Sequence, residues 1–414
     1  MKRTHLSILL TTLLSSHAFA DGFSAQNGAP TITRSPLLQQ YVNTISSYQP
    51  KTALLKERLQ KTISYYKRTH ILKTVNKKDY TVDCIPFAEQ PALIDNPALA
   101  QSLLPTMITS TKNHLEELKK MGDNFDFNPA TECPLGSVAI LRPSKAMLTL
   151  KMANTKVSPD SMPTEDAPLA SGYSWEQGMT PLGDLISIPT QANQAYFKGP
   201  QNQFVTPSSP DDHSLNQFWY TTDITGHSHE EKTYSVEFGI IASAYFTSTP
   251  STSIFVFASI DNYGGNSCYN LMCPNFIQAP GTTPLGVPIT NKNSDFVFQV
   301  THATSPGFQP GYYLTLITRN TLASQQNNST TLLGYYPNSL YVPVDRLPKN
   351  FSAGAEVFAD AAGNGTIMYG NYANPCVGYN GLKQIGLTTR NGNNFTFSTS
   401  MGPPPYGLIW NFGQ

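Results

Sequence analysis

The chain has 414 residues, with 27 Lys and Arg against 27 Asp and Glu. A net charge of zero gives no basic field to hold a phosphate backbone, so nucleic acid is not an expected partner. The length is enough for two domains and at least one sizeable core.

The chain opens with "MKRTHLSILLTTLLSSHAFADG". Lys2 and Arg3 precede an apolar run, and Ala18-Phe19-Ala20 makes a small-residue cleavage site. This is the layout of a secretory signal peptide, residues 1–20, cut after Ala20. A secreted or periplasmic protein is expected. The apolar run is short for a membrane span, and no later segment approaches one.

In "TALLKERLQKTISYYKRTHILKTV", residues 52–75, Leu54, Leu55, Leu59, Ile63, Tyr66 and Ile71 recur at a period near 3.6 and predict an amphipathic helix. "KDYTVDCIPFAEQPAL" reads as a strand and turn, and "SLLPTMITSTKNHLEELKKMG" as a helix ended by Gly122. "CPLGSVAILRP" reads as a short strand. Residues 21–150 thus form a mixed α and β part. Residues 151–170 hold Pro159, Pro163 and Pro168 and no aromatic residue, and read as an exposed, cleavable linker.

From residue 171 the texture changes to short alternating runs separated by turn signals. "TYSVEFGIIAS", "SIFVFASI", "DFVFQVTH", "YYLTLITR", "AEVFAD" and "FTFSTS" are candidate strands. Strands at this spacing, with no strand–helix alternation, predict an antiparallel sandwich or barrel over residues 171–414. That half carries 8 Lys and Arg against 13 Asp and Glu, whereas "KERLQKTISYYKRTHILKTVNKK" is strongly basic. Attraction between the two parts is expected.

Five cysteines in an exported chain favour disulfides. Cys268 and Cys273 are spaced to close a small loop, Cys84 and Cys133 are placed to pair, and Cys376 is left over. With no CxxC pair and no distant His cluster, no metal site is expected, and "GHSHEE" (His227, His229) reads as a solvated turn.

The chain has no G-x-S-x-G elbow, no H-E-x-x-H, no P-loop and no G-x-G-x-x-G. Carboxylate chemistry remains. Glu237 in "SVEFG" and Glu356 in "AGAEVFAD" sit in apolar, strand-like surroundings. Two carboxyls sharing a site push their titrations apart, so that one holds a proton while the other is ionised. Such a pair activates a water and protonates a leaving group. Periodicity alone favours the plainer reading of a strand-borne glutamate, an exposed cross-strand partner.

Five motifs shift that balance. "HSLNQFW", "SVEFG", "CYNLMCPNFIQ", "LLGYYPNSLY" and "AGAEVF" follow one another in an order that resembles the core of neprosin-type domains. "VDCIPFAEQPAL" and "CPLGSVAILRP" resemble the paired cysteine motifs of the neprosin activation region. The resemblance implies an exported glutamic-type endopeptidase, made as a zymogen and cutting after proline, with no cofactor. It implies an antiparallel β-sandwich behind a smaller α+β pro-domain that inhibits it. By motif matching the catalytic glutamates are Glu237 and Glu356, with Ala355 where the family motif has a second glycine, and Cys268 and Cys273 match its cysteine pair. Trp219 and Tyr263 are candidates to pack on a substrate proline. A monomer acting on proline-containing peptides or proteins is expected. The rival readings are a carbohydrate-binding or glycoside-hydrolysing sandwich, or a neprosin-like protein without activity.

Overall fold

The computed structural model describes residues 36–50, 53–103, 132–149, 172–179, 190–197, 213–223, 233–243, 246, 251–259, 267–272, 275–289, 294–303, 310–320, 328–337, 339, 350–359, 382–389, 394–401 and 408–412. The signal sequence, the linker at 151–170 and most of the helix predicted at 102–122 lie outside them. No helix among the described residues is long and apolar enough to cross a membrane.

The N-terminal part holds helices α1 (Pro36–Ser46) and α2 (Ala53–Arg68) and a three-stranded antiparallel sheet. Its strands are β1 (Lys73–Asn76), β2 (Thr81–Pro86) and β3 (Ser137–Leu141), followed by a short helix, Lys145–Thr149. The predicted stripe of α2 is real. Tyr66 buries against Leu38 and Val42 of α1, and Leu59 against Ile45 and Leu148.

The helix does not continue to Val75 as its periodicity predicts. It stops after Lys67 and Arg68, whose charges suit the negative end of the helix dipole. The following Thr74 and Val75 are β-branched and do better in a ladder, where β1 pairs with β2 and Val75 becomes buried. A disulfide between Cys84 and Cys133, with Cα atoms 5.5 Å apart, ties β2 to the chain just before β3. Beside it Arg142 Nε donates to Asp83 Oδ2 at 2.7 Å, and Asp83 is 1% exposed. Burial works against the Arg142 charge, but the Asp83 hydrogen bonds outweigh it and hold the guanidinium above its ordinary value.

The remainder is built from two antiparallel sheets. One has six strands in the order β4 (Gly172–Met179), β14 (Asn350–Ala359), β6 (His213–Asp223), β7 (Thr233–Ser243), β8 (Ser251–Ser259) and β9 (Ser267–Tyr269). The other has eight, in the order β10 (Ile277–Gln278), β13 (Asn328–Pro337), β12 (Gly311–Asn320), β11 (Ser294–Ala303), β5 (Thr190–Phe197), β15 (Leu382–Thr389), β16 (Asn394–Met401) and β17 (Leu408–Phe412). All six sequence-predicted strand segments fall on these elements.

The period-2 alternation of β7 decides which face meets the second sheet. Val236, Phe238 and Ile240 join Ile254, Val256 and Ala258 of β8 in one cluster with Phe298, Val300, Tyr312, Leu314, Leu316 and Tyr336 of the eight-stranded sheet. The Phe238 and Tyr336 rings meet edge-on, 5.9 Å apart. The glycine of "LLGYYP" has a steric reason. A Cβ on Gly334, at φ 155°, would lie 2.1 Å from the Ile277 carbonyl, so the short β10–β13 pairing needs a residue without one.

The N-terminal part packs on this β-structure in two places. Val75, Val82, Cys84, Ala139, Leu141 and Met147 cluster with Ile241, Phe246, Phe255, Phe257, Tyr269 and Val287. At the β10 edge, Gln90 Oε1 accepts from the Gln278 backbone N–H at 2.8 Å, and Gln90 Nε2 donates to the Gln278 carbonyl at 3.0 Å. The amide thereby completes an edge strand as another strand would. Gln278 Nε2 in turn donates to the Ala139 carbonyl of β3 at 2.8 Å, and both glutamines are buried.

The expectation that opposite charges hold the two parts together is not met. Every ion pair among the described residues lies within the N-terminal part. The contact between the parts is made by apolar side chains and neutral amides. Charge in this interface would have to be desolvated for little return.

Candidate functional site

Side chains alternate across a strand, so register fixes which residues share a face. On β7 the odd positions face away from the core cluster just described. Glu237 is one of them, with Trp219 of β6 directly opposite on one side and Phe257 of β8 on the other. Trp219 is in turn opposite Ser352 of β14, and Phe257 opposite Tyr269 of β9. One row across the sheet therefore reads Ser352, Trp219, Glu237, Phe257, Tyr269.

Glu356 of β14 is opposite Leu215 of β6 and Trp175 of β4, and Leu215 is opposite Ile241 of β7. Leu215 and Trp219 differ by four positions, an even number, so the backbone places Glu356 on the same face as Glu237. The two glutamates stand on strands separated by β6 alone. Two strand spacings of about 4.8 Å and four residues of about 3.3 Å rise put their Cα atoms about 16 Å apart in a flat sheet. That leaves a water and a peptide bond room between the carboxyl groups and excludes direct carboxyl–carboxyl contact in a flat sheet.

The row between them explains the gap. It reads Gln177, Gly354, Gln217, Gly239, Phe255. Glycines on both sides of Gln217 remove the side chains that would otherwise fill the floor between Glu237 and Glu356. Gln217, which sequence reasoning did not single out although it lies inside "HSLNQFW", is 1% exposed at the centre of this floor. The signal that would have found it is its parity: it is two residues from Trp219 and so on the Glu237 face.

Glu237 is itself 1% exposed, so it is not the exposed cross-strand partner that periodicity alone favoured. Its charge is felt within the core: burial, and after it the Glu237 carboxylate, push the Tyr336 hydroxyl well above its ordinary range. Ile241, Phe255, Phe257 and Tyr269, all on the Glu237 face by register, are the residues against which the N-terminal part packs. That face is therefore covered beside Glu237.

Among the other expected residues, Trp219 stands opposite Glu237, while Tyr263 lies outside the described residues. Cys268 lies in β9, and Cys273, Cys376, His227 and His229 lie outside the described residues. Among the described residues no group of three or more His, Cys, Asp or Glu is placed to hold a metal ion.

Fold and site together define an all-β protein with a buried, strand-borne glutamate beneath an apolar N-terminal cover. Residues 210–379, which contain both glutamates and the whole floor on β6, β7 and β14, match the family model Neprosin, and the chain thus carries a neprosin domain. That match supports a glutamic-type peptidase. Among solved structures the chain is similar to SCP-B, a member of the Eqolisin family of peptidases, in a complex with the tripeptide Ala-Ile-His. The identity is 9% and the TM-score 0.22, over 59% of this chain and 87% of that one. A likeness at that level carries no argument about fold or activity.

Proposed function

We propose that the chain is an exported glutamic endopeptidase, made as a zymogen, that hydrolyses peptide bonds on the carboxyl side of proline at acidic pH. The observation that carries this reading is the shared face: Glu237 and Glu356 flank the row Gly354, Gln217, Gly239. The scissile peptide lies along that row. One glutamate, ionised, takes a proton from a bound water, whose oxygen attacks the scissile carbonyl carbon. The other, protonated, polarises the carbonyl oxygen. The Gln217 amide donates to the same developing oxyanion. Collapse of the tetrahedral intermediate breaks the C–N bond as a proton passes to the leaving nitrogen. No covalent enzyme intermediate is formed. Trp219 beside Glu237, and Tyr263, pack on the proline ring.

Residues 21–150 act as the pro-domain of a β-sandwich catalytic domain, residues 171–414. They pack on the side chains of the Glu237 face, so substrate reaches it only after they leave. Because their attachment is made by neutral amides and apolar contacts, acid acts on the glutamates and not on the interface. The enzyme cuts the linker at 151–170, and the pro-domain then dissociates.

The test is to incubate the purified chain at falling pH, sequence the new N-terminus, and assay a proline-containing quenched peptide beside an oligosaccharide panel. Cleavage within 151–170 and after proline, lost in Glu237→Gln, is expected. Processing that continues in Glu237→Gln rules out self-cleavage. Hydrolysis of an oligosaccharide in place of the peptide overturns the assignment.

A further inference from the structure

A second cavity, of about 280 Å³, lies away from the glutamate face, where the N-terminal part meets the β-structure. Tyr65 and Tyr66 of α2, Ile94, and Leu141 at the end of β3 wall it on one side, and Asn270, Leu271 and Leu285 on the other. Its volume is at the small end of the about 300–1,000 Å³ range of ligand pockets, and interfaces between structural units are where such pockets concentrate.

Asn270 gives this cavity chemical direction. It holds a left-handed backbone, φ 51°, a conformation that asparagine tolerates and most residues avoid. Its Oδ1 is fixed by the Val256 N–H at 3.0 Å, which settles the orientation of the amide. Nδ2 then lies at the cavity wall, close above Gly286, where even a Cβ would come within 3.0 Å. Asn270 is 5% exposed, and Nδ2 has no hydrogen-bond partner among the described residues.

The Tyr65 hydroxyl is a second donor in the same wall. Burial raises its pKa far above neutrality, so it keeps its proton. The Thr69 side chain is near enough to affect its titration, but makes no hydrogen bond to it of good geometry. Two buried donors without acceptors, in an otherwise apolar cavity, are a cost that the fold carries unless something supplies the acceptor.

We propose that this cavity is a binding site for a small neutral carbonyl compound with a medium-length alkyl or aryl body. The carbonyl oxygen accepts from Asn270 Nδ2, and the body lies among Ile94, Leu141, Leu271 and Leu285. A ligand there touches both parts of the chain at once and holds them together. The site is independent of the peptidase reading, since binding is measured without catalysis.

The test uses the full chain carrying Glu237→Gln, with 2-nonanone and octylamine as probes, read by calorimetric titration and by the melting temperature. Saturable binding of 2-nonanone, with a melting temperature that rises with its concentration, is expected. Asn270→Asp keeps the Oδ1 bond to Val256 and the left-handed backbone but turns the inward donor into an acceptor. It is expected to weaken 2-nonanone at least tenfold and to favour octylamine. Leu285→Trp, which fills the cavity, is expected to abolish binding of both. Should no probe bind saturably, or should 2-nonanone bind Asn270→Asp and Leu285→Trp as it binds the parent, the cavity holds water only and the proposal is overturned.

Discussion

Replacing Gln90 by leucine removes the amide that completes the β10 edge while keeping most of the side-chain volume. The Gln278 N–H and carbonyl, at 2.8 and 3.0 Å from Gln90 in the parent, are then left buried without partners. Each orphaned buried group costs about 1–3 kcal/mol, so attachment of the N-terminal part weakens by about 2–6 kcal/mol. Measured by amide hydrogen exchange, the Gln278 N–H is expected to exchange at least about 30-fold faster, since 1.4 kcal/mol is a factor of ten. Gln90→Glu sharpens the reasoning. Protonated, its carboxyl both donates and accepts, as the amide does; ionised, it confronts the Gln278 carbonyl. Its folded-state pKa is therefore raised above the unfolded value of about 4.3. Its contribution is complete below that value and lost as pH rises through the folded one. Exchange in Gln90→Glu should thus be slow in acid and fast at neutral pH. Equal exchange at both, or parental exchange in Gln90→Leu, would refute the view that this amide holds the two parts together.

Four other outcomes follow from the same structure. With no described ion pair between the parts, raising NaCl from low to high concentration should leave attachment of the N-terminal part unchanged, as read by its release after linker cleavage in an inactive chain; release by salt alone contradicts this. Arg142→Ala strands the buried Asp83 carboxylate and should cost about 3–5 kcal/mol in urea unfolding. Asp95 is held below its ordinary pKa by its hydrogen bond from Arg68. Stability from that pair is present above the unfolded carboxyl pKa and lost as pH falls through the lowered one, so Asp95→Asn should cost up to about 1 kcal/mol at neutral pH and nothing in strong acid. The Cys84–Cys133 bond spans a sequence separation of 49, and Cys133→Ser should destabilise the N-terminal part by about 4 kcal/mol.

Much of the β-structure was legible because alternation and turn residues are local signals. "TYSVEFGI" states its own faces: Val236, Phe238 and Ile240 inward, Glu237 on the other side. What single strands do not state is register, which depends on partners remote in sequence. Only the pairings Glu237–Trp219 and Glu356–Leu215 reveal that the two glutamates share a face, and only they bring Gly239, Gln217 and Gly354 into one row. The burial of Glu237 was misjudged for the same reason, since Phe257 and Tyr269 come from neighbouring strands, and the residues packed on them from the other part of the chain. Gln90 and Gln278 were invisible as an attachment because a glutamine in a turn is usually solvated, and charge counting pointed to a different force. The end of α2 was missed where apolar periodicity ran on into β1, whose β-branched residues prefer a ladder.

The central claim is that Glu237 and Glu356 act as one unit on a single water. The direct measurement is kcat/KM on a proline-containing peptide for Glu237→Gln, Glu356→Gln and the double variant, each processed to the mature form by an added protease. Groups that act together are non-additive. Each single change is predicted to abolish activity nearly as completely as both together. Substantial activity in either single variant, or losses that multiply in the double variant, would contradict the account.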